Sequence, residues 1–129
     1  MEFALRYDPQ PMHIDHEASK KGPYKGLIAS GWQTCALVMR ELVKNYFSPS
    51  SSLGSPGIDE LKWLKPVRPG DRLIVRATIL ETKLSRSKTD IGLDRTLVEA
   101  LNQQNEKLVS FKVINFMLLS KYYREKTLN

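Results

Sequence analysis

Cysteine is almost absent from this chain: Cys35 is the single one in 129 residues. An internal disulfide and a metal cage built from cysteines are therefore both excluded. No apolar run approaches the ~20 residues that a membrane span requires. The N-terminus, Met1-Glu2-Phe3-Ala4-Leu5-Arg6, lacks the basic region and following apolar stretch of a secretory signal. No internal repeat is visible. No Gly-x-Ser-x-Gly elbow marks a serine nucleophile, and no aromatic-rich basic motif suits single-stranded nucleic acid. These absences favour a cytoplasmic protein with neither a membrane nor a nucleic-acid partner.

What remains is the composition of one soluble domain. Hydrophobic residues make up 41% and charged residues 26%, both ordinary for a globular chain. The length suits a single domain over residues 1–129 with room for a core. The formal charge is +6. It fits a polyanion, a small polyanionic ligand such as coenzyme A, or a plain solvated surface, and does not choose among them. The cations are dispersed apart from a loose cluster at Lys83, Arg86 and Lys88. The Ser/Pro/Gly-rich stretch 48–57 reads as an exposed loop rather than a domain linker.

Periodicity divides the chain into a helical half and a strand half. Residues 3–7 suit the end of a helix, which Pro9 and Pro11 prevent from continuing. A short helix over about 15–21 has Asp15 as its cap. The longest helix runs from about Gly31 to Tyr46, with Ser30 and Gln33 placed as a capping box. Cys35, Val38, Met39, Leu42, Val43 and Tyr46 define a broad buried face, with Thr34, Arg40, Glu41, Lys44 and Asn45 on the polar side. Strands are expected at 58–64, 72–83, 93–101 and 107–119. A turn follows the first, over 66–71, and Asn105 takes a left-handed conformation between the last two. One long helix and several long antiparallel strands predict an α+β fold with the helix on one sheet face.

Two segments carry chemical potential. In Asp8-Pro9-Gln10-Pro11-Met12-His13 a carboxylate and an imidazole are joined by a stiffened connection, and together they can manage a water molecule. An Asp-Pro turn and a lone structural histidine fit the same residues. At Ser30-Gly31 a helix begins with a glycine, and its outward amides suit a carbonyl oxygen that gains negative charge. Close packing at a helix start explains the glycine equally well. Ser30 suits a cap better than a nucleophile. Trp32 and Trp63 suit a core or an interface.

Together, the segments Phe3-Ala4, Asp8-Pro9-Gln10-Pro11-Met12-His13-Ile14-Asp15, Ala18 and Gly26-Leu27-Ile28-Ala29-Ser30-Gly31 resemble the MaoC-like branch of the hotdog-fold superfamily, which includes the (R)-specific enoyl-CoA hydratases. Lys65-Pro66-Val67-Arg68-Pro69-Gly70-Asp71 is similar to a turn found more widely among hotdog proteins. The resemblance spans about residues 3–120. It implies a hotdog, a long central helix wrapped by an antiparallel sheet, and a hydro-lyase acting on 2-enoyl or 3-hydroxyacyl thioesters of coenzyme A.

By the same resemblance Asp8 and His13 are catalytic and hold one water, and the Gly31 amide binds the thioester oxygen. Gln10 and Ser30 line the substrate site, where the hydratases usually have Asn and His. No metal or cofactor is implied beyond the coenzyme A of the substrate, and a homodimer or dimer of dimers is. Only seven residues precede Asp8, fewer than such proteins usually carry, so the expectation is a sheet without its first strand or a start upstream of residue 1. An acyl-CoA thioesterase and a non-catalytic acyl-binding protein remain the alternatives.

Overall fold

The computed structural model describes residues 1–47, 52–88 and 90–119. The expected loop at 48–57 lies partly outside them, at 48–51. Among the described residues four helices come first: α1 (Glu2–Tyr7), α2 (Pro11–Ile14), α3 (His16–Lys21) and α4 (Gly31–Asn45). Four strands follow: β1 (Gly57–Trp63), β2 (Ile74–Leu84), β3 (Ile91–Leu101) and β4 (Lys107–Leu118). They form one antiparallel sheet in the order β1-β4-β3-β2. The 64–73 connection therefore carries the chain from one sheet edge to the other. Among the described residues no helix is long and apolar enough to cross a membrane.

The helical segments begin and end where local chemistry dictates. Asp15 accepts from the Ala18 amide at 3.0 Å and caps α3, as expected. Pro11 stands at the first position of α2, where a missing amide costs nothing. This four-residue helix has no periodicity to betray it in the sequence. Asn105 takes φ 62° in the β3–β4 turn, where the Asn102 side chain accepts from the Gln104 and Glu106 amides.

α4 lies on one sheet face. Val38 and Leu42 pack against Val98 and Ala100 of β3 and Val109, Phe111 and Val113 of β4. Alternation along the strands puts these residues on one side. The buried helix face differs from the expected one. Thr34, assigned to the polar side, is buried, whereas Met39 and Val43 are 40% and 55% exposed. The sheet-facing ridge is Ser30, Thr34, Val38, Leu42 and Tyr46, an i+4 row. Met39 and Val43 each lie one residue beyond it, about 100° further round the helix.

The core is apolar beneath Val38 and Leu42 and polar beneath the end of α4. There Asp94 accepts from Thr96 at 2.7 Å and from Asn115 at 2.8 Å, and Tyr46 reaches the Thr96 hydroxyl at 3.0 Å. Buried polar groups are affordable only when paired in this way.

Candidate functional site

The site lies where the α1–α2 connection, the 22–30 segment and the N-terminus of α4 meet the end of β1. Short backbone ties fix these parts. The Asp8 amide closes α1 on the Ala4 carbonyl, and the Gln10 amide bonds back to the Asp8 carbonyl at 2.8 Å. The Ile28 amide bonds to the Met12 carbonyl, and the Ala29 amide to the Val67 carbonyl. Arg68 donates to the Tyr24 and Leu27 carbonyls, which clamps the β1–β2 turn to the 22–30 segment. Its own turn is closed by Asp71, which accepts from the Arg68 amide at 2.8 Å. Gly70 supplies the left-handed φ of 87° there.

Asp8 and His13 meet within this frame. His13 is buried, and its Nδ1 lies 2.8 Å from the Ile28 carbonyl. A carbonyl only accepts, so Nδ1 carries a proton and Nε2 is left for chemistry. Nε2 stands 3.3 Å from Asp8 Oδ2. Asp8 is held at both oxygens: Gln10 Nε2 donates to Oδ1 at 2.6 Å and Ser30 Oγ to Oδ2 at 2.7 Å. Those two hydrogen bonds, with a smaller contribution from His13, hold the Asp8 carboxyl below the usual carboxylate range, and partial desolvation opposes them.

The expected Ser30-Gln33 capping box is absent. Ser30 is the N-cap of α4 but makes no side-chain cap, because its hydroxyl is committed to Asp8. A serine cap contributes about 1 kcal/mol to a helix, so its diversion is energetically real. It also leaves the first-turn amides of α4 without a capping side chain.

These groups face a pocket of about 400 Å³. Asp8, Gln10, His13 and Gly31 line it, and Trp32 and Trp63 form an aromatic wall. The indoles meet edge to face with centroids 5.3 Å apart. Neither belongs to the core, since they are 59% and 47% exposed. Trp63 Nε1 donates to the Gly31 carbonyl at 3.0 Å. A Cβ on residue 31 would fall 2.5 Å from Trp63 Cε2, so the glycine is what lets the indole lie against the helix start. Cys35, the one sulfur nucleophile, sits nearby, and burial pushes its thiol up and keeps it protonated.

All five sequence-derived site residues thus converge. The Arg86 and Lys88 cluster does not join them. It lies in the β2–β3 turn, beside the Ile91–Leu118 end of the sheet, whereas the pocket reaches Leu108. Ten residues of β4 separate these ends, roughly 33 Å. The Ile28 carbonyl, Thr34 and Trp63 are not among the site components read from the sequence. The first is backbone and leaves no side-chain signal. Thr34 was detectable by its i+4 spacing from Ser30.

The same architecture occurs in known proteins. A family model described as "MaoC like domain" matches residues 1–100. The chain belongs to the MaoC-like family. YdeM of Bacillus subtilis, itself an uncharacterized protein, is 32% identical over 108 residues, covering 84% of this chain and 75% of the relative. The crystal structure of a MaoC-like dehydratase from Rhodospirillum rubrum has a TM-score of 0.86 at 35% identity, covering 92% of this chain and 81% of that one. The R-hydratase PhaJ1 from Pseudomonas aeruginosa has a TM-score of 0.73 at 25% identity, with 93% and 72% covered. The fold of this MaoC-like chain is accordingly the hotdog.

Proposed function

We propose that this MaoC-like protein is an acyl-CoA hydratase or dehydratase, a hydro-lyase acting on 2-enoyl and 3-hydroxyacyl thioesters. The observation that carries the reading is the 3.3 Å approach of Asp8 Oδ2 and His13 Nε2 in the pocket that Gly31 also lines. Two acceptors at that separation can each take one hydrogen of a single water, at ordinary distances of about 2.8 Å. The oxygen lone pairs of that water then point into the pocket.

In the hydration direction the water oxygen bonds to the β-carbon as one of its protons passes to Nε2. The alkene electron pair moves through the α-carbon to the thioester oxygen. The resulting enolate oxygen accepts from the Gly31 amide, which needs no reorganisation to receive it. The imidazolium, stabilised by the adjacent Asp8 carboxylate, returns the proton to the α-carbon. Dehydration is the reverse. Addition of water is redox-neutral, so the reaction as written calls for no redox cofactor, and coenzyme A enters as part of the substrate.

A homodimer, or a dimer of dimers, belongs to the same reading. Met39 and Val43 on α4 and Ile79, Leu80 and Leu84 on β2 are large apolar residues left exposed on the single chain, which suits burial against a second copy.

Incubation with crotonyl-CoA tests the activity. Loss of the enoyl absorbance without release of thiol is the expected result. Release of thiol identifies a thioesterase instead, and no change in either signal identifies a non-catalytic acyl-binding protein.

A further inference from the structure

We infer that Ser30 is a positioning residue that aims the Asp8 carboxylate, not a residue that contacts substrate. Its hydroxyl is fully buried and donates to Asp8 Oδ2, the same oxygen that faces His13 Nε2. At an N-cap the ordinary partner of a serine hydroxyl is the second or third amide of its own helix. Here that partner is given up for a carboxylate 22 residues away in sequence.

The diversion has two consequences that favour the same chemistry. With Gln10 on Oδ1 and Ser30 on Oδ2, rotating the carboxylate plane would break both hydrogen bonds, which keeps Oδ2 directed at His13. The α4 amides that a capping hydroxyl would occupy stay open beside Gly31, where the thioester oxygen is proposed to bind.

Few charged groups face Asp8, which leaves the hydrogen bonds from Gln10 and Ser30 as its main partners. On α1, Glu2 and Arg6 pair with each other. On α2, His13 is the ionisable group that touches Asp8. Tyr24, from the 22–30 segment, and Lys65, beyond β1, line the pocket, and Lys65 is engaged by Glu106. α4 presents Ser30 itself to Asp8. Hydrogen bonds to the ionised carboxylate stabilise that form: Gln10 supplies the larger effect from an exposed position and Ser30 the next from a part-buried one.

The test is Ser30→Ala, a small change at a buried site, with folding checked by circular dichroism. Two readouts are taken. Carbon-13 NMR titration of the Asp8 carboxyl needs no turnover, so it stands whether or not the hydratase reading does. The titration midpoint is expected to move to higher pH in Ser30→Ala, and an unmoved midpoint overturns the inference. The kinetic readout rests on the hydratase reading: with crotonyl-CoA, kcat is expected to fall about tenfold, as for loss of one hydrogen bond to a charged group, with KM little changed. A raised KM at unchanged kcat means that Ser30 contacts substrate, and the positioning role is then wrong. A parent protein that leaves crotonyl-CoA untouched refutes the activity alone, and the titration still decides the role of Ser30.

Discussion

Replacing Gly31 by Ala tests the contact that shapes the pocket wall. A Cβ at residue 31 would lie 2.5, 2.6 and 2.9 Å from three atoms of the Trp63 indole. Non-bonded carbons settle near 3.5–4.0 Å, so the ring must retreat by about 1 Å. The hydrogen bond from Trp63 Nε1 to the Gly31 carbonyl, 3.0 Å long, then stretches past bonding range at a cost of about 1 kcal/mol. Overpacking adds about 1–3 kcal/mol. Against this, alanine is the better helix former by up to about 1 kcal/mol. The expected net destabilisation is about 1–3 kcal/mol. A double-mutant cycle isolates the contact. Urea unfolding followed by far-UV circular dichroism gives ΔΔG for Gly31→Ala in the wild-type and Trp63→Ala backgrounds. Without the indole the three closest contacts of the added methyl are gone, so the cost should vanish or turn to a small gain. Equal costs in the two backgrounds would refute the packing of Trp63 on Gly31.

Two further outcomes follow from the polar interior and from Asp8. Asp94→Ala strips the shared acceptor from Thr96 and Asn115 and should cost about 2–4 kcal/mol in chemical denaturation, as expected for two buried donors left unpaired; a loss below about 0.5 kcal/mol would show the network to be energetically idle. The Asp8 carboxyl titrates below its unfolded value, so its contribution to stability is present above about pH 4 and is lost as pH falls through the depressed folded value. The stability gap between wild type and Asp8→Asn should therefore close on acidification below about pH 4, and a gap constant down to pH 2 would contradict the hydrogen-bonded, ionised Asp8.

Much of the architecture was legible because the signals were local. Strand-like segments, one of them marked by alternation over 72–83, placed the four strands within about two residues of their ends. Asp15 and Asn105 marked a cap and a turn by their own chemistry. The resemblance gathered Asp8, Gln10, His13, Ser30 and Gly31 into one site, and the fold brings all five together. What escaped depends on tertiary context. The Ser30-Gln33 pattern predicts a capping box, and no local rule reveals that a carboxylate 22 residues upstream offers Ser30 a stronger partner. Met39 and Val43 share the hydrophobic period of α4, yet the ridge that meets the sheet is set by how the helix is laid on it. The Ile28 carbonyl that fixes the His13 tautomer has no side-chain signature at all. Trp63 is far from Gly31 in sequence, and only the end of β1 brings the two together.

The most direct test of the account is the rate of crotonyl-CoA hydration in Asp8→Asn and His13→Ala, each confirmed as folded. If the pair positions and deprotonates the attacking water, each variant should lose about 100-fold or more in kcat. Wild-type-like turnover in either one would contradict the Asp8–His13 mechanism.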